Sequence, residues 1–449
     1  MTRAPRVFAW LGVTLALATL LAASSVLLAL AAVGVFATGA DAWTVDWTVA
    51  GIRLRASVPG LVRLATLPGV GHLLDGRSIP TRSGTLAFTR DGAWLRVTCA
   101  PCTLRHPQLA VVPVHVRAVA LDVRRDDDAL DGRLVVDTVR LPFSGRLRAA
   151  SIELSWQLPA TDLASLYGAL GDAVPEAAFA RIEGTVRAEG TLSLPSRRSS
   201  LRWTADALEI GGLGTESLQY GWFRHACAQG DGSARLVITG DGEKRWAAGD
   251  AMGPYLAAAV VAAEDQRFHQ HGGYDELAIA EILADVVDGR PKRGGSTVTQ
   301  QLARTLFTGG DRTAVRKLRE LLYAVEMERT LGKARILELY LNTVDWGPGV
   351  CGAKAAARAY FNKAPARLTA LEAAWLASVL RNPRVAWETQ FVARQPDRAR
   401  PTQVVMQMRD WPKRERERWA MQPLVFAPAS SPKRAGHPRV TAPSLHATR

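Results

Sequence analysis

The hydrophobic period of this chain changes once, near Gly240-Asp241-Gly242, and that change calls for two different kinds of folding. Over 43–238 apolar and polar residues alternate, as in Ile52-Arg53-Leu54-Arg55 and across 86–97, where Asp91-Gly92 marks a hairpin turn. Alternation sends successive side chains to opposite faces of a sheet, so one face meets a core and the other meets water. The same pattern over 112–123, 133–139, 151–157 and 182–194 predicts an antiparallel β-rich domain at 43–240, interrupted by one helix near 162–170. This half holds no cluster of acids, nucleophiles or metal ligands, and His72, His106 and His115 read as surface or packing residues.

Beyond the glycines, 251–381 is rich in Ala, Leu, Glu and Arg at helical spacing. Helices are expected at 255–265, 297–307, 315–329, 334–342 and 370–380 within a mainly α domain at 243–410. The remaining 411–449 is a basic tail, expected to be disordered past about Pro428. The fold class is therefore multidomain α+β.

From Val7 to Ala40 there is no Lys, Arg, Asp or Glu, and Arg3 and Arg6 precede the run. A membrane span needs about 20 apolar residues. The run predicts a transmembrane anchor at 7–40 with a cytoplasmic stub at 1–6 and the rest of the chain outside the cytoplasm. Ala40-Asp41-Ala42 has the small-x-small form of a processing site, but the run far exceeds the ~7–15 residues of a signal-peptide core. Either reading exports the chain. The net charge of +14 calls for an anionic partner, and export argues against nucleic acid. The four cysteines are too few for a disulfide-built scaffold. Cys99 and Cys102 read as a local disulfide or two inert thiols. Cys227 and Cys351 are candidates for a bridge in an oxidising compartment, with two buried thiols as the alternative.

Three segments carry chemistry. In Ala263-Glu264-Asp265-Gln266-Arg267-Phe268-His269-Gln270-His271 two acids close an apolar helix. Burial there raises the proton affinity of a carboxylate toward that of a general base. The alternative is an exposed acidic helix end, and His269-x-His271 lacks a third well-spaced ligand for zinc. In Arg293-Gly294-Gly295-Ser296-Thr297-Val298-Thr299-Gln300-Gln301 the glycines free the backbone and Ser296 or Thr297 caps a helix whose N-terminus suits phosphate. Thr297, Gln300, Gln301 and Arg304 then share one face. Arg312 and Arg316-Lys317-Leu318-Arg319-Glu320 are a solvated basic face or, with the other two segments, a diphosphate-sized cradle between Glu264 and Glu320. A base and a cradle suit glycosyl transfer from a diphosphate donor.

These segments, with Arg335-Ile336-Leu337-Glu338-Leu339-Tyr340-Leu341-Asn342 and Ala355-Ala356-Ala357-Arg358-Ala359-Tyr360-Phe361, resemble in order the five motifs of family 51 glycosyltransferases, the peptidoglycan glycosyltransferases. The resemblance is nearest to monofunctional biosynthetic transglycosylases and stops short of the β-rich half. That half resembles AsmA-like envelope β-domains by pattern alone. The family resemblance implies a lysozyme-like, mainly α domain that polymerises lipid II at the periplasmic face of the inner membrane, with undecaprenyl diphosphate leaving and the anomeric centre inverting. It makes Glu264 the base for the acceptor 4-hydroxyl and Glu320 the second acid near the diphosphate, with room for a divalent cation, Mg2+ or Mn2+, at Glu320. Ser296, Gln300, Gln301, Arg304, Arg312, Lys317 and Arg319 would line the sugar and diphosphate sites, and Asp265, Phe268 and His271 would shape the substrate side of the first motif. The fourth motif reads as structure, because Ile336/Tyr340 and Leu337/Leu341 are apolar i,i+4 pairs.

Two positions depart from the family pattern: Asn362 stands where Gly is usual, and Arg381 falls in a Leu-Pro-x-x-Pro position. The only late Ser-x-x-Lys is Ser430-Ser431-Pro432-Lys433 in the tail, so no transpeptidase activity is expected. Implied partners are lipid II, the growing lipid-linked glycan, the membrane and other cell-wall synthesis proteins. Two other readings stay open: a lysozyme-like glycan hydrolase, which has no need of a diphosphate cradle, and a non-catalytic envelope scaffold built on the β-rich domain.

Overall fold

The computed structural model describes residues 44–49, 52–105, 109–148, 151–194, 198–276, 295–311 and 313–428. The expected anchor at 7–40 and the tail beyond Pro428 lie outside these residues. Among the described residues no helix is long and apolar enough to cross a membrane. The chain forms two compact units, one of residues 1–223 and 264–340, the other of 224–263 and 341–449. This differs from the linear division at 240 read from the period change, because Val315 and Leu322 bury their side chains in one core with Tyr167, Ile182 and Ile210 of the β-rich segment.

The first unit is built on a nine-stranded antiparallel sheet: β1 (Ser78–Thr81), β2 (Gly84–Asp91), β3 (Trp94–Cys99), β4 (Val119–Asp126), β5 (Ala129–Val136), β6 (Val139–Leu147), β7 (Ile152–Asp162), β8 (Arg181–Leu194) and β9 (Arg198–Gly211). Each strand pairs with the next, giving an up-and-down meander. The alternating run expected at 133–139 spans a turn: β5 ends at Val136, Asp137 takes φ 53°, and β6 starts at Val139, paired with Val136. Asp tolerates this left-handed conformation better than most residues, and a two-residue turn leaves the alternation on both sides almost unbroken. Register places Phe143 opposite Gly132, where a Cβ would come within 2.2 Å of the Phe143 ring, so the glycine lets the ring lie on the sheet.

One end of the apolar face, Phe88, Leu95, Val123, Leu130, Leu147 and Ile152, is packed by Val62 and Ala65 of α1 (Val58–Ala65) and Leu74 of α2 (Pro68–Leu74). The sequence reading missed both helices, although Ser57 accepting from Gly60 N and a proline in the first turn are a start signal. The expected helix at 162–170 is α3 (Leu163–Gly168), capped by Asp162. Its Leu163 and Tyr167 join Ile182, Ile210, Val315 and Leu322 in one core, so the sheet and a helix of the second half share their burial.

The helical segments include α4 (Gly253–Glu264), α5 (Val298–Ala303), α6 (Ala314–Thr330), α7 (Gly332–Thr343), α8 (Ala353–Phe361) and α9 (Ala370–Val379), with further helices at Ala399–Gln407 and Lys413–Ala420. The helix expected at 297–307 is α only to Ala303 and widens into a π-turn over Arg304–Thr308 before Gly309. In that turn Phe307 stacks on Tyr323 of α6 with centroids 4.2 Å apart.

In the second unit α9 is buried nearly all round, and Trp375 packs edge-on against Tyr360 and Phe361 of α8. Asn362 ends α8 at φ 55°, so the residue that replaces the family glycine is one that tolerates this conformation. Cys227 and Cys351, 124 positions apart in sequence, form a disulfide with Cα atoms 5.9 Å apart. A loop of that length is worth roughly 4–5 kcal/mol in the chain-entropy model. Cys99 and Cys102 form the local disulfide.

Candidate active site

Glu264 is the last residue of α4, and its Oε2 accepts from Gln301 Nε2 at 3.0 Å. Gln301 lies on α5 with its amide buried; Nε2 also points at the Ser296 carbonyl at 3.5 Å, and Oε1 accepts from the Tyr340 hydroxyl at 2.9 Å. The Ser296 Oγ accepts from Lys317 Nζ at 2.6 Å, and Lys317 pairs with Glu320 Oε2 at 2.7 Å. Hydrogen bonds therefore run from Glu264 through Gln301 and Ser296 to Lys317, and an ion pair carries the path on to Glu320. Residues 56 positions apart in sequence meet because α5 lies between the end of α4 and the first turns of α6.

The two acids have unlike surroundings. Glu320 is fully buried, with Oε1 on the Arg316 guanidinium and Oε2 on Lys317. Arg316 also faces Asp311 at 3.5 Å. Burial, together with the charges of Arg316 and Arg304, pushes Lys317 down to about 8. Arg304 takes no side-chain hydrogen bond or ion pair among the described residues, so its charge is uncommitted beside Lys317. Arg312 lies outside the described residues.

Not every expected ligand-lining residue gathers there. Arg319 points to another face of α6 and binds both oxygens of Glu176, a buried acid of the β-rich segment, at 2.8 to 2.9 Å. Gln300 is occupied by the α5 capping box, its side chain accepting from Thr297 N while Thr297 Oγ1 accepts from Gln300 N. Asp265, Phe268 and His271 form a buried brace. Asp265 accepts from His271 Nε2 at 2.9 Å and from Val298 N at 2.9 Å, tying the first motif to the start of α5. Gly273 N donates to His271 Nδ1 at 3.3 Å, which leaves the ring proton on Nε2 for Asp265. Phe268 is buried beneath Lys333, whose ammonium lies 4.4 Å from the ring centre. Gly273 takes φ 97° and a Cβ there would lie 2.9 Å from the Ala324 backbone, so only glycine lets this loop close on α6.

Asp265, His271 and Asp275 offer atoms within 4.8 Å of one another, which resembles a metal-ligand cluster. Asp265 is committed to His271 and Val298, and Asp275 to Arg267 at 2.7 Å, so the geometry is that of a hydrogen-bonded brace. Glu320 likewise suits no divalent cation: it is one carboxylate whose two oxygens already face two cations.

Sequence reasoning missed Tyr340, Glu176 and Glu326. Tyr340 read as one of an apolar pair, and its i,i+4 spacing to Ile336 gave no sign of the hydroxyl's partner. Glu326 is fully buried and accepts from Leu213 N, Thr215 N and Thr215 Oγ1 at 2.8 to 3.2 Å. No local signal marks Glu176 or Glu326, since their partners lie more than 100 positions away.

Residues 233–409 match the family model described as Transglycosylase. The chain is 45% identical over 156 residues to a biosynthetic peptidoglycan transglycosylase of Shewanella amazonensis, covering 34% of this chain and 64% of the relative. It is 45% identical over 141 residues to the protein of the same description from Thiobacillus denitrificans, covering 31% and 61%. For the Bordetella pertussis protein so described the identity is 48% over 145 residues, covering 31% and 60%. The chain thus spans a little under two thirds of the curated relatives it matches.

Proposed function

We propose that this chain, through its transglycosylase segment at 233–409, polymerises lipid II into peptidoglycan glycan strands on the outer side of the cytoplasmic membrane, held there by the segment at 7–40. The observation that supports this best is the path joining Glu264, a carboxylate that accepts from the Gln301 amide, to a cationic pole of Lys317, Arg316 and Arg304. Glu264 takes the proton of the acceptor's 4-hydroxyl as that oxygen attacks the donor's anomeric carbon from the face opposite the diphosphate. The bond from the anomeric carbon to the diphosphate oxygen breaks, its electron pair leaves with undecaprenyl diphosphate, and the configuration inverts. Lys317 and Arg304 receive the charge that develops on the leaving oxygens. Glu320 acts at one remove, holding Arg316 and Lys317 in place to meet that charge.

A glycan hydrolase would release no diphosphate and would gain nothing from such a pole. The test is to incubate the detergent-solubilised chain with labelled lipid II and separate the products by size. A ladder of lipid-linked strands is expected. Short cut fragments from preformed glycan would support hydrolysis, and unchanged substrate in both assays would leave a scaffold.

A further inference from the structure

Tyr340 is buried completely, and its hydroxyl donates to Gln301 Oε1 at 2.9 Å. The other side of the same amide faces Glu264 Oε2 at 3.0 Å and the Ser296 carbonyl at 3.5 Å. A carboxylate and a carbonyl can only accept, so the amide must turn its NH2 toward them and its oxygen toward Tyr340. A flipped amide would set Oε1 against Glu264, oxygen to oxygen. The Tyr340 hydroxyl reaches this amide from a fully buried ring on α7.

We propose that Tyr340 is a positioning residue for the transfer reaction, locking the Gln301 amide in the one orientation that holds the Glu264 carboxylate in place to take the acceptor proton. This rests on the reading of Glu264 as the base. Burial and the nearby Glu264 charge push the Tyr340 phenol well above its ordinary range, so it remains a donor wherever the enzyme works. Among the described residues, Asp265, committed to His271 and Val298 N, and Arg304 on the following turn also act on this hydroxyl. Neither replaces the amide contact to Glu264.

The test compares Tyr340→Phe, Gln301→Met and the double variant in the full chain, with lipid II as substrate and thermal melting as a check on folding. Tyr340→Phe is expected to lower kcat about 5–10-fold with KM for lipid II nearly unchanged, the scale of one lost hydrogen bond. The acid limb of its kcat/KM profile is expected about half a pH unit higher, since a carboxylate that loses an N–H donor binds its proton more tightly. A smaller folded fraction would lower kcat but leave that limb in place. Tyr340→Phe added to Gln301→Met is expected to change kcat no further. An unmoved acid limb in a folded Tyr340→Phe, or losses that simply multiply in the double variant, overturns the proposal. Should Tyr340→Phe not fold, Gln301→Met reads the same amide with Tyr340 in place, and a wild-type limb there overturns it equally. A wild-type chain that makes no ladder strikes instead at the function proposed above.

Discussion

Glu264 and Glu320 stand at the two ends of one path of hydrogen bonds closed by an ion pair, yet they differ in burial and in the partners that hold them. Glu264 is half-buried at a helix end and receives a neutral amide. Glu320 is sealed within α6 between a guanidinium and an ammonium. A half-buried carboxylate at a helix end is within reach of a substrate proton, whereas one locked between cations inside the protein is neutralised and serves as an anchor. The contrast teaches that two acids of one site, in the first and third motifs, can be placed for different work, one for chemistry and one for architecture.

Removing the charge at each end should separate these roles. Glu264→Gln is expected to lose polymerisation by about 10²–10⁴-fold, the usual contribution of general-base catalysis, with the melting temperature nearly unchanged. Product sizing and calorimetry on the same preparation check both halves, and near-normal turnover by the folded variant would remove Glu264 from the role of base. Glu320→Gln should instead lower stability by about 3–5 kcal/mol, because it leaves buried cations unmatched. Denaturant unfolding measures this. Equal stability with a changed metal response would return Glu320 to the metal-binding role that the sequence left open.

The cationic pole can then be probed alone. Replacing Lys317 with Met is expected to raise KM for lipid II by about 10–100-fold, the loss of a charge-assisted hydrogen bond. Because the folded value for Lys317 is depressed to about 8, its charge is present below that pH and lost above it. Wild-type KM should therefore climb as pH passes through about 8, and Lys317→Arg should remove that climb. A KM that stays flat to pH 10 contradicts the assignment. The smallest effect on turnover is expected from Arg319→Ala, which should leave KM for lipid II unchanged and cost about 1.5–3 kcal/mol of stability through the orphaned Glu176. A raised KM would put Arg319 back into the cradle.

Much of this architecture was legible in the residues. The ends of α4, α6, α7 and α9 fall within three positions of the helical spacing, and Asp91-Gly92 lies at the turn between β2 and β3. Ser296, Gln301, Lys317, Glu264 and Glu320 gather as the order of motifs suggested. What misled was locality. Asp137 hid a turn inside an alternating run, Arg304–Thr308 opened into a π-turn inside a helical one, and Arg319 sat in a basic motif while its partner lay 143 positions earlier.

The sequence by itself determined most of the element types, because hydrophobic period and capping residues act over a few positions, and it singled out the candidate groups, because motifs are contiguous. Only the tertiary structure decided which of those groups are free to act. The commitment of Arg319 to Glu176, of Asp265 to His271 and Val298, and of Tyr340 to Gln301 depends on buried polar atoms finding partners wherever the packed chain supplies them. An unpaired polar group in the interior is costly regardless of how far along the chain its partner lies, so three-dimensional packing makes that choice.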